Sequence, residues 1–287
     1  MNHRTIFTAV LILACAASLV LAQPAGQAPP AKPGPAAQPA PAAQPAPTSP
    51  VAKQPTIKSK EEQAAVMAMF QAIQGPDVAA RLKACDDFQQ KFANSEFRSI
   101  ALFFMTVAYQ DKGDYDKTLL YGEETLKLDP ANFQAMLLLS QLIANRTREN
   151  DLDKEEKLKK AENYANQALE ALKTAPRPNP AVTDEQWALA KRDLNAQAYA
   201  AFAMGAIARK NYDAAIEQFQ KSLAASPSPD PSTMVRLGDA QTKAGKYDDA
   251  IATFDKVAAI ADAPPVVKQI AAKAKEGAVQ AKAKAAK

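Results

Sequence analysis

From about Ser59 onward, apolar residues recur at spacings of three and four, with polar residues between them. That period marks helices with one buried face. It predicts helices over 60–73, 77–93, 96–112, 115–128, 132–146, 153–174, 184–210, 213–225, 232–244, 247–261 and 265–283. The breaks have local causes. Gly75-Pro76 separates the first two, Gly113 and Gly245 stand where a helix end favours a left-handed residue, and Asp129-Pro130 and Ser226-Pro227 end their helices. Thr183-Asp184-Glu185-Gln186 has the form of a capping box.

Ahead of this region the pattern changes twice. Arg4 precedes an apolar run from Ile6 to about Ala22 that ends in Val20-Leu21-Ala22, the form of a secretory signal cleaved after Ala22. Two other readings stay open: an uncleaved inner-membrane anchor, and a lipobox, since Leu11-Ile12-Leu13-Ala14-Cys15 resembles the bacterial lipoprotein site acylated at its Cys. Residues 23–58 follow, a Pro/Ala tract with repeated Gln-Pro-Ala units and almost no bulky apolar side chains. Such a tract cannot build a core and is expected to be a disordered, extended linker, which would suit a membrane tether through the N-terminus. The expected organisation is thus a signal over 1–22, a linker over 23–58 and a helical domain over 59–287.

Composition sharpens this. Of 287 residues, 47% are hydrophobic and only 7% aromatic, so the core is built mainly from Ala and Leu and the fold is all-α. The two cysteines are Cys15 and Cys85; loss of the signal leaves Cys85 alone, on an apolar helical face, as a small core residue. Loss of Arg4 takes the formal charge from +4 to +3, too near balance to imply a nucleic-acid partner. The one histidine, His3, lies in the signal.

Three stretches align on Tyr115, Tyr212 and Tyr247. Three residues later stand Thr118, Ala215 and Ala250, and seven later Gly122, Phe219 and Phe254. With Leu237-Gly238, Gly245-Lys246-Tyr247 and the closing Leu128-Asp129-Pro130, the chain resembles the tetratricopeptide repeat family, and in particular its exported bacterial members. That resemblance implies a right-handed superhelical solenoid of about five antiparallel helix pairs, with the last helix as a cap through Val267, Ile270 and Ala274 before a frayed Lys/Ala tail. Lys210 in place of the turn Gly, Thr118 in place of Ala and Gly122 in place of the aromatic point to looser junctions. An insertion near 145–156 interrupts the register, and residues 174–182 make a non-standard connection.

Chemistry is thin. A mature chain without His, without paired Cys, without a Gly-rich phosphate loop and without a GxSxG elbow offers no expected cofactor, metal or catalytic set. The doublets Asp86-Asp87, Glu123-Glu124, Glu155-Glu156 and Asp248-Asp249 read as solvated surface, and Asn145-Arg146-Thr147 as a chance glycosylation pattern. The resemblance therefore implies a non-enzymatic scaffold of the bacterial cell envelope that binds a protein or peptide along the concave surface of its first helices. Counting from the tyrosines places Phe103, Val107, Gln110, Leu137, Gln141, Met204, Arg236, Asp239 and Lys243 there, with inter-repeat packing as the competing role for Phe103, Leu137 and Met204. The Lys-rich C-terminal helix, with Lys268, Lys273, Lys275, Lys282, Lys284 and Lys287, supplies an alternative function, attraction to anionic polymer or lipid.

Overall fold

A computed structural model describes residues 49–286. The signal, Cys15, most of the linker and Lys287 lie outside the described residues. Among the latter there are eleven helices: α1 (Lys60–Gln74), α2 (Val78–Lys91), α3 (Arg98–Lys112), α4 (Tyr115–Leu128), α5 (Phe133–Arg146), α6 (Lys154–Thr174), α7 (Asp184–Ala208), α8 (Tyr212–Ala225), α9 (Pro231–Lys243), α10 (Tyr247–Ala259) and α11 (Pro265–Ala285). Each agrees with its predicted span to within about two residues, because short polar caps fix the starts. Asp77, Asp114, Asn132, Asn211 and Asp230 each accept a backbone N–H of the first turn. In the predicted capping box, the Gln186 N–H donates to Thr183 Oγ1 at 3.1 Å and the Thr183 N–H donates to Gln186 Oε1 at 3.0 Å.

The described residues fall into two compact units. The smaller holds residues 49–54 and 176–187. Val51 and Arg177 form a parallel bridge, with the Ala52 N–H donating to the Arg177 carbonyl at 2.8 Å and the Arg177 N–H to that of Pro50 at 2.9 Å. The buried Arg177 guanidinium donates from Nη1 to the Val182 carbonyl at 2.9 Å and from Nη2 to that of Ser49 at 3.3 Å. The non-standard connection thus has a defined structure, and so do the described residues of the expected linker. Backbone pairing requires no apolar side chains, which is why composition did not reveal it.

The larger unit holds 55–175 and 188–286 and is the expected stack of antiparallel pairs. Within it, α1 packs on α2, α3 on α4, α5 on α6 and α9 on α10, while α11 lies against both α9 and α10. Helix α7 meets α8 through Ala203, Ala206, Ala215, Ile216 and Phe219. The signature positions pair by size. A Cβ built on Gly238 would lie 2.5 Å from Phe254 Cε1, so the ring of α10 occupies the space that the glycine of α9 leaves. At the same offsets in α7 and α8 stand Ala203 and Phe219.

The junctions expected to be loose are filled. A Cβ on Gly122 would meet Leu139 Cδ2 at 2.6 Å, so a leucine from α5 takes the room of the missing aromatic. Thr118 is wholly buried and returns its hydroxyl to the Asp114 carbonyl at 2.6 Å. Lys210 accepts a left-handed backbone with φ 60°, where Gly113 and Gly245 have 73° and 76°. The cap also differs in detail. Val267 and Ala274 pack, but the covered face continues through Ala271 and Ala278, and Ile270 is turned outward and exposed. Steps of four, three and four from Val267 reach 271, 274 and 278, and 270 lies one position to the side of that line. The tail remains helical to Ala285, and Lys275 and Lys282 pair with Asp255 and Asp248 of α10.

Candidate partner-binding groove

The first helices α5, α7 and α9 come from three successive pairs, yet α9 reaches α5. Arg236 Nη1 of α9 donates to Asn145 Oδ1 of α5 at 3.1 Å. Contact between the first and third of three neighbouring helices requires the face they share to curve inward, with the second as its floor. Met204 of α7 lies on that floor, packed against both the Ile143–Ala144–Ala161 cluster and the Ala203–Phe219 cluster. One wall is polar: Gln141 Nε2 donates to Gln197 Oε1 at 3.3 Å, and Asn145 Nδ2 to the Gln141 carbonyl at 2.7 Å.

The nine expected groove residues divide. Arg236, Asp239 and Lys243 are exposed, and Val107, Gln110, Gln141 and Met204 are half-buried. Phe103 and Leu137, at 4% and 1% exposure, are core residues with no surface for a partner, which corrects their placement in the groove. Counting turns gives a side chain's direction on its own helix and not the depth to which a neighbouring helix covers it. Asn145 and Gln197 were missed, although both were within reach of the same count. Asn145 is one turn beyond Gln141, and Gln197 is two turns before Met204.

Two cations at helix ends lie over tyrosine rings of the preceding second helices. Arg146 lies 5.5 Å from the centroid of the Tyr115 ring and Lys243 Nζ lies 5.8 Å from that of Tyr212. In both cases the cation follows the ring by 31 residues, from 115 to 146 and from 212 to 243, so the contact repeats with the architecture. The same step from Tyr247 reaches Ala278, buried in the cap. Asp239 keeps accessible surface, but crowding of its carboxyl raises its pKa by desolvation, against the pull of Lys243. Burial pushes the Cys85 thiol up to about 12, as befits a small core residue.

Elsewhere the unit has two shallow open clefts. One of about 320 Å³ is lined by Glu162, Phe202 and Arg209, and the other, of about 390 Å³, by Glu123, Lys160 and Tyr164. Their charges are spent on one another: Arg209 pairs with Glu155 and Glu162, and Lys160 with Glu123 at 2.6 Å. Among the described residues no group of His, Cys, Asp and Glu could hold a metal ion, and no helix is long and apolar enough to cross a membrane.

Residues 206–274, covering α8, α9, α10 and the start of α11, match the sequence profile of the tetratricopeptide repeat family. No curated protein matches the chain. Among solved structures, PilW, described as a widely conserved type IV pilus biogenesis factor, is similar at 16% identity and a TM-score of 0.55, over 79% of this chain and 91% of its own. TTC0263, a thermophilic TPR protein of Thermus thermophilus, is similar at 20% identity and a TM-score of 0.48, over 74% of this chain and 98% of its own. MamA of Desulfovibrio magneticus is similar at 18% identity and a TM-score of 0.46, over 69% of this chain and 94% of its own.

Proposed function

We infer that this chain, which carries tetratricopeptide repeats in an all-α stack, is a non-enzymatic scaffold of the bacterial cell envelope that holds a protein segment in the groove of α5, α7 and α9. The observation that supports the reading is the contact of Arg236 with Asn145, which brings α9 to α5 on the face that both share with α7. A face narrow enough for one arginine side chain to reach across suits a single extended chain. The envelope setting draws its support from the signal-like N-terminus and from the description of PilW as a pilus biogenesis factor. Attraction of polymer or lipid by the C-terminal lysines is the weaker reading, because Lys275 and Lys282 are engaged with Asp255 and Asp248.

The test is photocrosslinking in the native host. A crosslinking amino acid at Gln141 or Met204 should give a discrete protein adduct, and one at the exposed Lys173 of α6 should not. Absence of adducts from both groove positions would reject the scaffold reading. The mass of the N-terminal peptide separates cleavage after Ala22, acylation at Cys15 and retention.

A further inference from the structure

We propose that residues 49–54 and the connection 176–182 form a mechanical clasp, through which a pull arriving along the linker enters the chain at Arg177 and bypasses α1 to α6. The clasp concerns how the chain is held and not what it holds, so it stands or falls apart from the groove.

Hydrogen bonds cross the clasp along its length. At one end the Arg177 guanidinium donates from Nε and Nη2 to the Ser49 carbonyl at 3.4 and 3.3 Å. Next come the two backbone bonds that join Arg177 to Pro50 and Ala52, and then Gln54 Nε2, which donates to the Pro178 carbonyl at 2.8 Å. The far side of the guanidinium is held as well. Nη1 donates to the Val182 carbonyl, and Asp184 Oδ1 lies 3.5 Å from Nε. Asn179, wholly buried, fixes that turn by accepting the Ala181 and Val182 N–H groups at 2.8 and 3.2 Å. Arg177 itself is buried, so its charge is committed to these partners.

The direction of the pairing decides how it answers to force. The two strands run parallel. A pull from the linker draws Ser49 toward the start of its strand, whereas resistance from the C-terminal side draws Arg177 toward the end of its own. The forces oppose each other along the strand axis, so the bonds that cross the pair are strained together. In an antiparallel pair the same two pulls would act at one end and open the bonds one after another. Covalent connectivity does the rest. While the clasp holds, the chain between residues 54 and 176 is a closed loop that carries no tension. That loop contains α1 to α6, and with them the terminal pair, which in a stack has a neighbour on one side alone.

The experiment stretches the full chain between handles at its two ends in optical tweezers. Residues 55–175 hold about 40 nm of extended chain. In the wild type this length is expected only after a single rupture at high force. Ala52→Pro removes the N–H that donates to Arg177 and leaves residues 176–187 untouched; at constant force it should shorten the lifetime before that rupture about tenfold. Arg177→Ala should abolish the high-force rupture. Moving the first handle to Thr56→Cys, in a Cys15→Ser chain, places it beyond the clasp, so residues 55–175 should then come away at low force. Thermal melts confirm that each variant is folded, and if Arg177→Ala is not, the other two arms decide alone. Release of residues 55–175 at low force in the wild type overturns the proposal. So does a lifetime unchanged by Ala52→Pro, or equal resistance from the Thr56 attachment, which would place the protection in the helices themselves. A loss confined to Arg177→Ala also overturns it, because Arg177 would then act only within the 176–187 connection.

Discussion

Lys210 Nζ lies 2.6 Å from Glu149 Oε1, so two departures from the repeat pattern meet in space. Lys210 stands where a repeat would have the turn glycine, and Glu149 belongs to the insertion after α5. Next to them Arg209 joins Glu155 and Glu162 of α6. The insertion is therefore held against the turn between α7 and α8 by charge rather than by apolar packing.

The backbone of Lys210 supplies the first prediction. Its φ of 60° is unfavourable for a residue with a Cβ, whereas glycine adopts it freely. Lys210→Gly should raise the melting temperature by roughly 2–4 °C despite loss of the ion pair. Glu149→Ala, which removes an exposed pair and leaves the strain, should shift it by less than about 2 °C in either direction. A clear fall in Lys210→Gly would mean that the ion pair outweighs the backbone.

Gly238 supplies the second. Phe254 is buried and its ring faces the α-carbon of Gly238, so a methyl group there would force the ring to move. Gly238→Ala should cost about 1–3 kcal/mol in chemical denaturation. The pair Ala203 and Phe219, at the same offsets, shows that the fold can hold an alanine opposite the ring, so a loss of stability rather than failure to fold is expected. Phe254→Leu in the same chain should return part of the loss. An unchanged midpoint would show that the ring shifts without cost.

How much of this could be read beforehand depended on range along the chain. The Thr183 box, the stops at Asp129-Pro130 and the glycines at 113 and 245 act within a few residues, and the helix boundaries followed from them. The filling of Gly122 by Leu139 depends on the next helix, and the contact of Arg236 with Asn145 spans 91 residues. Neither leaves a periodic mark. The pairing of Val51 with Arg177 was hidden for another reason: it joins two Pro-rich stretches through backbone pairing and side-chain hydrogen bonds to carbonyls, which leave no apolar pattern. Of the residues expected in the groove, Arg236, Asp239 and Lys243 are exposed, while a count of turns could not show that Phe103 and Leu137 lie deep in the core.

Cys85 gives a prediction about reactivity and pH. Desolvation favours the neutral thiol in the folded protein and pushes its pKa up to about 12, while an unfolded chain has an ordinary thiol. Because the folded state holds that proton more tightly, ionisation works against folding only as pH rises above the unfolded value. In a Cys15→Ser chain at pH 9, alkylation of Cys85 should be slow in buffer and fast in denaturant, at a rate that follows global unfolding. Fast labelling of folded protein would show that α2 opens locally.

The last prediction concerns the two contacts in which a cation follows its tyrosine by 31 residues. Arg146 over Tyr115 and Lys243 over Tyr212 each join the start of one pair's second helix to the end of the next pair's first helix. They thus lie across the junctions of the stack. An exposed cation–π contact contributes about 0.5–1 kcal/mol. A double-mutant cycle of Arg146→Ala with Tyr115→Leu should give a coupling of about that size, and so should Lys243→Ala with Tyr212→Leu. Pairing Arg146→Ala with Tyr212→Leu should give none, because that cation and ring belong to different junctions. Equal coupling in the matched and crossed cycles would mean that the rings act through general packing. The contacts would then be a result of the stacking rather than one of its causes.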